Sequence, residues 1–213
     1  MPRLLAALYD PVLRIIESRG LARWRADVLQ TARGRVLEIG AGTGLNLPHY
    51  PAAVDEVVLL EPDPHMRKRL ARRVREFRAR VTIVGAAAVP LPFGDAEFDT
   101  VVVTLVLCTV PDVPNALLEM RRVLKPGGQL VFLEHVGGAE GSRRLRWQRR
   151  MEPAWRRVAG DCHLTRHTVE AITTAGFTID RLRGEDLPGP LRLGSPVVRG
   201  HASVGSRVTA EVS

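Results

Sequence analysis

An α/β fold built on a doubly wound, mostly parallel sheet is predicted by three observations. Between residues 35 and 134, short apolar runs alternate with amphipathic segments, the pattern of strands covered by helices on both faces. The first run, Arg35-Val36-Leu37-Glu38-Ile39, ends in Gly40-Ala41-Gly42-Thr43-Gly44. Three glycines at alternate positions let the chain turn sharply and bring bare backbone against a ligand. A second run, Val57-Val58-Leu59-Leu60, is closed by Glu61, about twenty residues after the first glycine, where such a sheet sets an acid on ribose hydroxyls.

The glycine spacing narrows what binds. A dinucleotide fingerprint is Gly-x-Gly-x-x-Gly, its last glycine opening a helix whose N-terminus holds a pyrophosphate. Here the spacing is Gly-x-Gly-x-Gly, and Glu38 stands two positions before the first glycine. An anion at the strand end suits a cationic ligand. The remaining elements follow in order. Leu45 to Tyr50 reads as a short helix ended near Pro48 and Pro51. A longer helix from Pro64 to Ala79 sets Met66, Leu70, Val74 and Phe77 on one stripe and its arginines on a solvated face. Val81 to Val84 is the third strand. Phe98 to Leu107, apolar and β-branched, is the strongest strand and a central one. Its end, Thr104 to Val110, falls beside the glycine turn at the switch point of the sheet. A helix over Asn115 to Leu124 closes on the Pro126-Gly127-Gly128 turn, and Gln129 to Glu134 is the fifth strand.

Composition bounds the rest. At 213 residues this is one domain, and no stretch has the eighteen or so continuous apolar residues of a membrane span. Cys108 and Cys162 are too few and too far apart for a disulfide framework or a zinc pattern, so no metal is expected and a reducing, cytoplasmic setting is the simplest inference. Met1 to Gly20 interrupts its apolar residues with Asp10, Pro11, Arg14 and Glu17, unlike a signal peptide. The net charge is +8, carried by arginine with Lys68 and Lys125 as the only lysines. The arginine run from Arg67 to Arg78 lies on the outer side of a sheet-covering helix and reads as a solvated face, so nucleic acid is not an expected partner. Residues 1–34 form an expected helical segment, with Leu4, Leu5, Leu8, Val12, Ile15 and Ile16 at helical spacing among arginines. It is read as a lid on the domain of residues 35–213, with Tyr9 facing the pocket; peripheral contact with an anionic membrane is the alternative. The oligomeric state is left open.

The glycine turn with Glu38, and the second strand with Glu61, resemble motifs I and II of the class I S-adenosylmethionine-dependent methyltransferases, which share a Rossmann-like sheet. Arg122-Val123-Leu124-Lys125-Pro126-Gly127-Gly128 before an apolar strand is a further hallmark of that class. The resemblance implies S-adenosyl-L-methionine as cofactor and S-adenosyl-L-homocysteine as product. It sets Glu38 near the amino acid end and Glu61 on the ribose, with Gly40, Ala41, Gly42, Gly44, Pro62, Met66, Thr104 and Leu105 around the cofactor. Gly85 to Phe93 resembles the loop that passes the adenine, but alanines stand where many members carry an acid, leaving the backbone of Ala86 and Ala87 as the contacts.

Past the fifth strand, Glu134-His135-Val136, Arg146-Trp147-Gln148, Pro153-Ala154-Trp155 and Cys162-His163-Leu164-Thr165-Arg166 are similar to the methyltransferase-like 7 family of small thiol S-methyltransferases. The animal members begin with a membrane-anchoring segment, for which this sequence shows no counterpart. The resemblance implies a small thiol acceptor and a tail strand, Val197 to Val208, pairing with Phe177-Thr178-Ile179 to close a seven-stranded sheet antiparallel. Arg183 to Pro196 reads as a loop bordering the acceptor site. Trp147, Met151, Trp155 and Val158 share a helical stripe, read either as packing or as the wall of an apolar pocket with Cys108 and Cys162. His135 and His163 are the candidate proton acceptors. A quinone C-methyltransferase or phospholipid N-methyltransferase is the alternative within the class, and a non-catalytic cofactor-binding protein the alternative outside it.

Overall fold

The structure, a computed structural model, describes residues 17–75, 77, 80–186 and 196–205. The residues of the predicted N-terminal stripe up to Ile16, Tyr9 among them, lie outside the described residues. Seven strands form one sheet: β1 (Gly34–Ile39), β2 (Val54–Leu60), β3 (Arg80–Val84), β4 (Phe98–Thr104), β5 (Leu124–His135), β6 (Phe177–Asp186) and β7 (Pro196–Val204). Their order is β3-β2-β1-β4-β5-β7-β6. The first five are parallel, and β7 runs antiparallel to both β5 and β6. The chain reverses its winding between β1 and β4, so the expected switch point lies between those two strands.

Helices cover both faces. They are α1 (Ala22–Leu29), α2 (Pro64–Val74), α3 (Val113–Val123), α4 (Arg143–Val158) and α5 (Thr168–Thr174). A kinked π-turn, Glu17–Leu21, leads into α1. Three of them start on a side-chain cap: Asp63 for α2, Asp112 for α3 and Ser142 for α4 each accept a backbone N–H of the first turn. The inner strands bury most of their side chains, as strands between helical layers must, whereas the edge strands β3 and β6 are buried only at Phe177. One core cluster joins Leu37, Ile39, Val101, Val103, Leu117, Met120 and Phe132; the other joins Leu21, Leu29, Val36, Leu59, Leu70, Val102 and Val131.

Several predicted boundaries move. The helix after Glu61 ends at Val74, five residues earlier than its periodicity extends. Leu45 to Tyr50 shortens to one 3-10 turn, Leu47–His49. The Pro126-Gly127-Gly128 turn is drawn into β5 as an irregularity: Phe98 pairs with Leu124, then Thr100 with Gln129, so the intervening residues bulge out, with Gly127 at φ 75°. Arg183 to Asp186 is strand and not loop, because β6 continues along β7 as far as Pro196.

β7 is crowded on both sides. Gly200 lies opposite Phe132 of β5 and Leu182 of β6. A methyl group built on it would sit 1.9 Å from the Arg181 carbonyl oxygen, where the pairing register of β6 shifts.

Candidate functional site

The end of β1 is shaped by contacts that demand glycine for different reasons. Gly40, at φ 66°, leaves no room for a methyl group, which would meet Val106 Cγ2 at 2.5 Å. Gly42, at φ 57°, faces open space, its nearest neighbour for an added methyl being the Gly40 oxygen at 4.0 Å. Gly44, at φ 85°, packs against Leu70 of α2 and Leu47 and so serves the helix and not the cavity. Ala41 N–H donates to Leu60 O at 3.0 Å and ties the turn to β2. Glu61 then accepts from Gly42 N–H at 2.8 Å through one carboxylate oxygen and from Asp63 N–H at 2.8 Å through the other. Each oxygen keeps a lone pair for a further donor.

Behind this turn lies a buried polar network. Glu38, almost wholly enclosed, accepts from Tyr50 Oη at 2.6 Å and Asn46 Nδ2 at 3.0 Å. Arg25 of α1 reaches in to Asn46 Oδ1 at 2.8 Å, Thr104 Oγ1 at 2.9 Å and Glu17 at 2.9 Å. Across the switch point, Glu134 of β5 accepts from the backbone N–H groups of Val106 at 2.9 Å and Leu107 at 3.1 Å, holding the turn after β4. That turn opens with Leu105 at φ 58°, a left-handed conformation uncommon for a residue with a side chain.

Burial pushes both Glu38 and Glu134 up from 4.5 to about 7, against the hydrogen bonds that favour their charged forms. Each holds in the fold a proton that the unfolded chain has already released, so stability falls as pH rises from about 4.5 to about 7. Thermal melts of the protein without ligand are expected to lose midpoint across that window. A Glu38→Gln, Glu134→Gln double variant is expected to flatten the slope; an unchanged slope would refute the assignment.

The acceptor side is built from the turn after β4, the end of β5 and the stretch after α4. The inner face of α4 runs Leu145, Gln148, Glu152, Trp155. Gln148 accepts from Gly138 N–H at 2.7 Å and donates to Val136 O at 3.3 Å. Glu152 accepts from Thr165 Oγ1 at 2.7 Å and meets His163 Nδ1 at 3.1 Å. These polar bonds fix the rotation of the helix, and they correct the predicted stripe: Trp147 and Met151 face outward, about 40% exposed, and Trp155 alone of the three reaches the cavity. His163 is likewise held by Glu152 outside the cavity wall, while His135 is on it.

Between the halves lies a cavity of about 670 Å³, within the roughly 300–1,000 Å³ typical of small-molecule sites. It brings together Gly40, Gly42, Glu61, Pro62, Met66, Ala86, Ala87 and Leu105 at one end and Cys108, His135, Trp155 and Cys162 at the other. Glu38, Ala41, Gly44 and Thr104 stand behind its wall: Glu38 and Thr104 are turned into the buried network, and Ala41 and Gly44 into the strand and helix contacts. Sequence reasoning passed over Asp63, Asp112 and Val197. Asp63 was two residues from Glu61, whereas Val197 arrives from the far tail strand with no local signal. Although the chain is strongly basic, the charged side chains on the described wall are Glu61, Asp63 and Asp112, without a lysine or arginine. Among the described residues no cluster of His, Cys, Asp and Glu is arranged to hold a metal ion, and no helix is long and apolar enough to cross a membrane.

A methyltransferase domain family matches residues 37–132, from β1 to β5. A putative methyltransferase from Bacillus halodurans superposes with a TM-score of 0.71 at 15% identity, over 87% of this chain and 99% of its own. Sheet order, glycine turn and the matching domain family thus define a class I S-adenosylmethionine-dependent methyltransferase. Human thiol S-methyltransferase TMT1B is 36% identical over 197 residues, 90% of this chain and 80% of the human protein. Rat TMT1B is 40% identical over 156 residues, 72% of this chain, and the match spans 64% of the rat protein's length. The chain belongs to this thiol S-methyltransferase family. Its cofactor is S-adenosylmethionine, and the cavity fits one: Gly42 turns bare backbone to the open space, and a wall that among the described residues has carboxylates and neither lysine nor arginine suits a sulfonium cation.

Proposed function

We propose that the protein transfers the methyl group of S-adenosylmethionine to the sulfur of a small apolar thiol. The observation that carries this reading is the acceptor end, where Val106, Val110, Trp155 and Ala159 form an apolar wall with His135, Cys108 and Cys162 set among them. The names of the human and rat relatives support it. Bound S-adenosylmethionine supplies an electrophilic methyl group on a positively charged sulfur. The chain's own residues bind, orient and exclude water. Glu61 receives the ribose hydroxyls on its remaining lone pairs, Ala86 and Ala87 offer backbone to the adenine, and Gly42 allows close approach. The apolar wall keeps water from the acceptor and holds its sulfur for in-line attack. A thiol ionises near pH 8.5, so a proton has to leave, and His135 is the group on the wall positioned to take it. Residues 1–34 act as a lid, a reading supported by Leu21 on the cavity wall and by Arg25 in the buried network. Two free thiols facing one cavity support a reducing, cytoplasmic setting.

The test is S-adenosylhomocysteine formation with small alkyl thiols, a demethylated quinone and phosphatidylethanolamine vesicles. Turnover is expected with thiols alone. His135→Gln is expected to lower kcat at neutral pH and to recover towards the thiol's own pKa. Turnover confined to the quinone or the vesicles would refute the thiol acceptor, and a pH profile identical to wild type would remove His135 from the proton transfer.

A further inference from the structure

Cys108 and Cys162 are arranged more closely than methyl transfer requires. Cys108 ends the turn after β4 and is 2% exposed; Cys162 follows α4, and both line the cavity. The two segments are clamped together. His163 N–H donates to the carbonyl of Cys108 itself at 2.8 Å, and Arg166 Nη1 donates to Val110 O at 2.6 Å and also to Leu107 O. The bond from His163 sets Cys162, the residue before it, alongside Cys108 at the same cavity wall. Cys162 Sγ lies 4.0 Å from His135 Nδ1.

These neighbours divide the labour between the sulfurs. The neighbouring Cys108 thiol, together with His135, holds Cys162 below the ordinary thiol range. The same pairing, together with burial and nearby Glu134, pushes Cys108 up. The charge therefore rests on the sulfur beside the histidine, with a protonated partner on the adjoining segment. That is the arrangement of an attacking thiolate and a resolving thiol.

We propose that Cys162 and Cys108 form a dithiol site that reduces small disulfides at the acceptor end of the cavity. The Cys162 thiolate attacks one sulfur of R–S–S–R′, a Cys162–S–S–R bond forms, the substrate S–S bond breaks, and R′S⁻ leaves. Cys108 gives up its proton to a departing thiolate and attacks Cys162 Sγ; the Cys108–Cys162 bond forms and RS⁻ leaves, solvent supplying the second proton. One disulfide is reduced to two thiols while two cysteines are oxidised to one disulfide. An excess of a small monothiol returns the pair to the dithiol. The second thiol is released where the proposed methyl acceptor sits. That link rests on the function proposed above, whereas the disulfide chemistry does not.

The full chain, without S-adenosylmethionine, is incubated with bis(2-hydroxyethyl) disulfide while released thiol and protein mass are followed. Wild type is expected to release two thiols per chain and to end with a Cys108–Cys162 disulfide. Cys108→Ser is expected to stop after one, carrying half of the reagent on Cys162, and Cys162→Ser to react at least about tenfold more slowly. A mixed disulfide that persists in wild type, or Cys162→Ser reacting as fast as wild type, would overturn the proposal. Wild type gives a reading that needs no variant: limited alkylation at neutral pH should label Cys162 before Cys108, and the reverse order would overturn it. S-adenosylhomocysteine formation is read separately. Its absence with disulfide reduction intact would refute thiol methylation alone, and the converse would refute the dithiol site alone.

Discussion

Glu61→Ala is expected to weaken S-adenosylmethionine binding at least about a hundredfold. The side chain does two jobs at once: its oxygens hold Gly42 N–H and Asp63 N–H, both at 2.8 Å, and their remaining lone pairs face the cavity. Hydrogen bonds to a charged group are each worth about 1.5–3 kcal/mol, so two lost to the ribose amount to two orders of magnitude or more in affinity. The backbone N–H groups left behind loosen the glycine turn as well. Calorimetric titration with the cofactor measures the loss, and a melting curve without ligand separates it from unfolding. Affinity within about threefold of wild type would show that the ribose is held elsewhere.

Gly200→Ala is expected to be the most damaging single methyl group that can be added to the sheet. The added carbon would lie 1.9 Å from the Arg181 carbonyl oxygen and 3.1 Å from Phe132 Cζ. The nearer obstacle is backbone, so relief requires β6 to shift along β7 and not a rotamer to turn. Overpacking of this kind costs about 3 kcal/mol or more, a fall of roughly 6–12 °C in Tm for a chain of this size. Gly184→Ala in β6 is the control, since nothing lies within 4 Å of its added methyl. Equal midpoints for the two variants would show that β6 yields freely.

The cofactor half was legible in the sequence because local rules write it. A strand that ends in glycines, and a strand that ends in an acid, each announce themselves within ten residues; the hydrogen bond by which Gly42 N–H reaches Glu61 is an addition of the fold. The acceptor half was legible only in its residue types. Trp147, Met151 and Trp155 lie at helical spacing, and hydropathy alone turns that stripe inward. Gln148 and Glu152 decide otherwise, because their partners, Gly138, Val136, Thr165 and His163, come from loops whose positions no periodicity records. His135 and His163 looked alike in sequence, yet one is on the wall and the other is bound to a carboxylate. Arg25 and Asn46 gave no signal at all: their role appears once α1 and the 3-10 turn meet over Thr104.

The position of β7 bears on how the protein is made. A ribosome delivers strands in chain order, and β1 to β4 can pair with one another as they emerge, forming the glycine turn early. β5 and β6 cannot finish in that way, because the strand that separates them is synthesised after both. Until residue 204 has left the exit tunnel, β5 presents one open edge and β6 has no neighbour in the sheet. Nascent chains therefore carry exposed strand edges on the acceptor side during the last stage of synthesis, the interval in which chaperone protection matters most and in which a pause in translation would be most hazardous.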